Sequence, residues 1–164
     1  MAILLVDDEQ ANLPREVDRF NAQHAIGVLV ADDHESMRQK VVSTLETEFN
    51  VVGAVGDGKE MLDAESRIRP DVVILDISMP TMNGIEAATR LRQRASNARV
   101  IFLTVHEEPE FLAAALNAGA IGYVIKSRLA TDLSLAVREA IAGRQFVSPS
   151  LNSTLCDDSC EECE

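Results

Sequence analysis

From residue 28 onward the chain alternates two textures: short β-branched runs, and longer stretches whose apolar residues recur at helical spacing. The first texture predicts strands at Val28–Ala31, Val51–Val55, Val72–Asp76, Val100–Thr104 and Ile121–Ile125. Between them lie helical patterns. The first sets Met37, Val41 and Leu45 on one face, with Arg38, Glu46 and Glu48 available to the other. The last sets Leu133, Val137 and Ile141 at the same spacing, and Gly143 follows as a C-terminal stop. Three middle helices are expected near 58–68, 84–94 and 108–118, punctuated by Pro70, Gly84 and Gly119.

Strand, helix, strand repeated five times means parallel pairing through right-handed crossovers, with helices on both faces of the sheet. The run Val72-Val73-Ile74-Leu75 is continuously apolar, as a strand covered on both faces should be. The fold class is therefore α/β, a doubly wound parallel (βα)5 sheet. In such sheets ligands bind beyond the carboxyl ends of the strands, where the strand order reverses.

Charge narrows the function. The 164 residues carry 15 Lys plus Arg against 27 Asp plus Glu, a formal net charge of −12. Most of that excess sits at the two ends of the chain, and residues 28–155 hold 17 acids and 13 bases, only −4. With no basic stripe to neutralise phosphates, direct nucleic-acid binding is not expected. No apolar run approaches the roughly 20 residues that span a bilayer, and the N-terminus lacks a secretion signal, so no membrane association and a cytoplasmic location are expected.

Four of the five strand ends deliver Asp32 and Asp33, Asp76, Thr104 and Lys126 to one edge of the sheet. Taken singly, an Asp past a strand is often a helix cap or turn former, a Thr a strand former and a Lys a surface charge. Together they say more. Carboxylates crowded in a cleft repel unless they share a cation, and oxygen ligands of this kind suit Mg²⁺, with Mn²⁺ an alternative. A carboxylate can also attack phosphorus to give an aspartyl phosphate while a metal and a lysine neutralise the transferred charge. The set reads as a phosphoryl-acceptor site.

The motifs VLVADDH at 28–34, PDVVILDISMPTMNGIEA at 70–87, VIFLT at 100–104 and GAIGYVIKS at 119–127 closely resemble the receiver domain of two-component response regulators, most of all those of the NarL/FixJ type. The resemblance covers about 28–150. It implies a flavodoxin-like five-stranded sheet of order 2-1-3-4-5. It also implies that Asp76 is phosphorylated by a sensor histidine kinase, a phosphotransfer protein or a small donor such as acetyl phosphate. Asp33, Asp76 and the backbone carbonyl of Ser78 would bind Mg²⁺, and Asp32 would hold a metal-bound water. Lys126 would contact the phosphoryl group, Thr104 would swing toward it, and Tyr123 would be the switch aromatic that turns inward. Ser78 and His106 occupy positions that flank the hydrolytic water. The output would be a changed contact with an effector domain or protein in transcription regulation, and a homodimer is left open.

Two other functions share parts of this pattern. A phosphohydrolase working through an aspartyl phosphate wants a second acid two residues after its nucleophile, and position 78 is Ser. An interaction module that never carries phosphate predicts a broken acid set, and this one is whole. A receiver is not an enzyme acting on an external substrate; it catalyses only its own phosphorylation and dephosphorylation.

The sequence departs from the resembled pattern in three places. Lys126 is followed by Ser127 where many receivers have proline, and a non-proline cis bond costs about 3 kcal/mol, so a trans bond or a locally different loop is expected. The chain ends 14 residues after Ser150 with no helix-turn-helix, as either a stand-alone receiver or a fragment. Residues 1–27 form an extension in which Ile3 to Glu9 repeat the texture of Val28 to His34; Asp7 and Asp8 are read there as a decoy of the site pair. Residues 151–164 form an acidic tail with Cys156, Cys160 and Cys163. Three thiols fall short of a four-ligand zinc site, so a disordered tail is expected.

Overall fold

The computed structural model describes residues 26–149 and 151. The expectations for the N-terminal extension up to residue 25, including Asp7 and Asp8, and for the cysteine tail lie outside the described residues. The elements are β1 (Gly27–Ala31), α1 (Glu35–Glu46), β2 (Asn50–Val55), α2 (Gly58–Ile68), β3 (Val72–Leu75) and α3 (Gly84–Gln93). They continue as β4 (Arg99–Thr104), α4 (Pro109–Asn117), β5 (Gly122–Ile125), a 3₁₀ turn (Lys126–Arg128), α5 (Leu129–Ile141) and β6 (Phe146–Val147).

Local chemistry sets the helix starts. Asp57 accepts the Glu60 N–H at 2.8 Å, while the Glu60 carboxylate accepts the Gly56 N–H at 3.1 Å, a reciprocal cap on α2. Asn83 caps α3 by accepting the Glu86 N–H at 2.8 Å. Pro109 opens α4, where its missing N–H costs nothing. Gly143, at φ +85°, is the left-handed stop expected after α5.

The sheet is parallel throughout, in the order β2-β1-β3-β4-β5-β6. The flavodoxin-like arrangement read from the sequence is therefore present, with one strand more than expected. Phe146 and Val147 pair with Gly122 and Tyr123 and cover the β5 edge. Alternation along each strand feeds two cores. Leu29, Val73, Leu75 and Phe102 pack with Met61, Leu91 and Leu112 from α2, α3 and α4. Val28, Val30, Ile74 and Ile101 pack with Val41, Leu45, Leu133 and Val137 from α1 and α5. Each fully buried Leu, Ile or Val contributes on the order of 2 kcal/mol, which is why β3 is apolar at every position.

Register places the site. β1 pairs Ala31 with Leu75 of β3, so Asp32 and Asp76 are the next residues on adjacent strands, one just past each strand end. β4 pairs Thr104 with Ile125, so Lys126 steps out beside Thr104. No peptide bond among the described residues is cis, as the Lys126-Ser127 sequence led one to expect.

Candidate functional site

Burial comes first in this site's electrostatics. Asp32, Asp76 and Thr104 are nearly inaccessible, while Asp33 and His34 face solvent. One lysine faces both buried acids: Lys126 Nζ lies 3.0 Å from Asp32 Oδ2 and 3.1 Å from Asp76 Oδ2. Only the contact to Asp76 has hydrogen-bond geometry. The contact to Asp32 is an ion contact, and among the described residues the buried Asp32 Oδ2 has no other partner. The other Asp32 oxygen accepts the His34 N–H at 2.9 Å, and Arg38 fastens the strand end by donating to the Asp32 carbonyl at 2.7 Å.

Burial pushes the Asp76 carboxyl above its ordinary pKa; the Lys126 charge and hydrogen bond oppose this, and the neighbouring Asp32 charge adds to it. For Lys126, burial acts downward, but its contacts to Asp32 and Asp76 outweigh that and hold the ammonium above its ordinary value. Lys126 is thus a firmly charged ammonium between the two acids.

Asp76 sits on a loop whose shape depends on one glycine. A Cβ on Gly84 would stand 2.2 Å from the Asp76 carbonyl oxygen, so only glycine lets α3 start this close to the strand end. Ser78 N–H reaches back to Asp76 Oδ1 at 3.3 Å, and Ser78 Oγ meets His106 Nε2 at 3.0 Å. The His106 ring stacks on Phe111 at 4.0 Å, and its Nδ1 is 3.7 Å from Glu108.

His106 also joins the other two predicted residues. Its N–H donates to Thr104 Oγ1 at 3.2 Å, and its carbonyl accepts the Tyr123 hydroxyl at 2.8 Å. Tyr123 is fully buried, so its ring is turned inward and its hydroxyl is not at the surface. Burial, with the Glu108 charge second, pushes the phenol pKa well up.

Every candidate site residue named from the sequence is thus at this edge: Asp32, Asp33, Asp76, Ser78, Thr104, His106, Tyr123 and Lys126. The acid cluster has a member the sequence reading missed. Asp32, Asp33, His34 and Asp76 each offer a ligand atom, all within 4.8 Å of one another. The signal for His34 was its position directly after the acid pair. Glu108 was missed as well, since nothing in its local sequence points to His106.

Comparison with known proteins decides the family. Residues 28–138 match the family described as response regulator receiver domain. The chain belongs to that family. This receiver is 37% identical over 128 residues to a probable transcriptional regulatory protein NarL of Mycobacterium tuberculosis, covering 77% of this chain and 59% of the relative. It is 32% identical to the transcriptional regulatory protein DegU of Brevibacillus brevis, covering 81% and 57%. The chain thus spans under two thirds of the length of these curated relatives. Among solved structures, a LuxR-family two-component response regulator from Aurantimonas sp. superposes with a TM-score of 0.78 at 30% identity, over 82% of this receiver and 97% of that chain.

The donor set suits the divalent cation of the receiver family. Three hard carboxylates converge, one buried oxygen meets only the shared ammonium, and a single lysine leaves the cluster net negative. Among the described residues, no helix is long and apolar enough to cross a membrane.

Proposed function

We propose that this receiver accepts a phosphoryl group on Asp76 from a sensor histidine kinase, a phosphotransfer protein or a small phosphodonor, and that the new charge changes a protein-binding face. The observation that carries the reading is the shared lysine. A carboxylate nucleophile needs a cation fixed beside it before the phosphorus arrives, and Lys126 already bridges Asp32 and Asp76. An Asp76 carboxylate oxygen attacks phosphorus, and the donor leaves with the electron pair of the broken P–O or P–N bond. Lys126 then neutralises the charge on the transferred group.

Asp32, Asp33, Asp76 and the Ser78 carbonyl would hold Mg²⁺, with Mn²⁺ as a substitute. Bound there, the cation supplies charge neutralisation to the phosphoryl oxygens. Thr104 Oγ1 is engaged only as an acceptor among the described residues, which leaves its proton for a phosphoryl oxygen. That hydrogen bond draws the loop bearing His106 and so biases the Tyr123 contact, a population shift between loop arrangements. Ser78 and His106, joined by a hydrogen bond, flank the approach of hydrolytic water and set phosphoryl lifetime.

The receiver unit runs over 28–150, with an N-terminal extension at 1–27 and the tail at 151–164. The partner reached by the switch is an effector domain or protein in transcription regulation, with the receiver itself making no nucleic-acid contact and residing in the cytoplasm. Intact mass after incubation with acetyl phosphate and Mg²⁺ tests the chemistry. A gain of one phosphoryl group is expected in the wild-type chain, and none in Asp76→Asn or without metal. A gain that persists in Asp76→Asn sinks the reading.

A further inference from the structure

β6 is followed by Ser148, which is fully buried. Its backbone N–H donates to the Tyr123 carbonyl at 2.9 Å. Its hydroxyl accepts the N–H of Ile125 at 3.1 Å and donates to Asp132 Oδ2 at 2.9 Å. The first of these bonds extends the β5–β6 ladder with a side-chain oxygen, and it does so at the residue immediately before Lys126.

Asp132 lies on α5 and is also buried. The same Oδ2 accepts from Arg128 Nε at 2.8 Å, and Oδ1 accepts from Thr131 Oγ1 at 3.2 Å. Arg128 is the last residue of the 3₁₀ turn that begins with Lys126. The turn is therefore held at both ends by one buried hydroxyl–carboxylate pair: at the Ile125 N–H before it and at the Arg128 guanidinium that closes it. A buried carboxylate with three donors is costly to desolvate and contributes specificity of geometry more than bulk stability.

Lys126 needs that geometry. A four-carbon stem has wide rotamer freedom, so keeping its ammonium between two carboxylates depends on where the backbone starts it. The proline that fixes this turn in many receivers is absent here.

We propose that Ser148 and Asp132 are positioning residues for Lys126, which makes the segment after α5 part of the phosphoryl-acceptor machinery. This rests on the reading of Asp76 as acceptor and Lys126 as its counter-ion. Neither residue is hydrogen-bonded to Asp76, so their action runs through the turn.

The test compares initial rates of phosphorylation by acetyl phosphate and Mg²⁺ in the full chain. Single variants are Ser148→Ala, Asp132→Asn and Lys126→Ala; each of the first two is also combined with Lys126→Ala. Thermal melts confirm that each is folded. Ser148→Ala and Asp132→Asn are expected to slow phosphorylation roughly tenfold, as small misplacements of a catalytic group do. Each double variant is expected to be no slower than Lys126→Ala alone, because a residue acting only through Lys126 has nothing left to position. A purely structural role would instead multiply the two losses, and that result overturns the proposal. So do folded single variants that react at the wild-type rate. If Ser148→Ala fails to fold, Asp132→Asn, which keeps the side-chain size, carries the same comparison. Phosphorylation that survives in Asp76→Asn defeats the underlying reading as well, and is distinguishable because the Asp76 control changes it alone.

Discussion

Two clusters of buried acid sit at opposite ends of the same sheet and are treated in opposite ways. At the amino end, Glu65 of α2 accepts the Ser96 hydroxyl at 2.7 Å and lies 3.7 Å from the Arg94 guanidinium. Arg94 goes on to donate to the Leu62 carbonyl and the Ser66 hydroxyl, and Ser96 Oγ accepts the Ala98 N–H. Each group has its partner, and the cluster ties α2 to the loop before β4. At the carboxyl end, two buried acids share one lysine, and among the described residues one Asp32 oxygen meets nothing but that shared ammonium. The difference separates a tie from a site. A carboxylate whose lone pairs are filled by protein donors holds the fold together, whereas one left with unmet demand is prepared for something that arrives later.

The most damaging way to break this contrast is at Gly84. With the Cβ of an alanine 2.2 Å from the Asp76 carbonyl oxygen and 3.0 Å from the Ile77 Cα, Gly84→Ala should cost on the order of 3 kcal/mol in urea unfolding and disable the proposed acceptor loop with it. Glu65→Ala comes next. It strands the Ser96 hydroxyl and one face of Arg94, and about 2 kcal/mol should be lost with phosphorylation of Asp76 preserved.

The sign reverses at the site: Asp76→Asn removes a poorly compensated charge and should stabilise the fold by about 1 kcal/mol at neutral pH. The pH profile sharpens this. An acid whose folded pKa is raised binds more protons folded than unfolded, so wild-type stability falls as pH climbs from the ordinary 3.8 through the folded value. The advantage of Asp76→Asn should therefore be absent below that window and complete above it; an advantage that grows toward acid would contradict the electrostatic account. The smallest effect belongs to the exposed pair Arg138 and Glu48, where Arg138→Ala should change stability by no more than about 0.5 kcal/mol.

The sequence reveals what is periodic or repeated. Five strands and five helices follow from alternating textures, and Asp32, Asp33, Asp76, Thr104 and Lys126 follow from standing at strand ends. β6 was not legible, because two residues, Phe146 and Val147, carry no period, and only the exposed edge of β5 gives them a reason to pair. Ser148 and Asp132 were hidden for a related reason. Asp132 reads as an ordinary acid in the first turn of a helix, and its burial depends on a strand 14 residues later. The bond between Ser78 and His106 crosses two loops, a distance that no local pattern encodes.

The chain has a single tyrosine and no tryptophan. That one phenol is sealed in the interior and donates to the His106 carbonyl, on the loop whose His106 N–H donates to Thr104 Oγ1. Ultraviolet emission from the whole molecule excited at the tyrosine band therefore comes from this one position beside His106. Under the proposed switch, movement of that loop loosens the phenol's hydrogen bond and should alter its quantum yield, so the emission would gauge the state of Asp76 with no label attached.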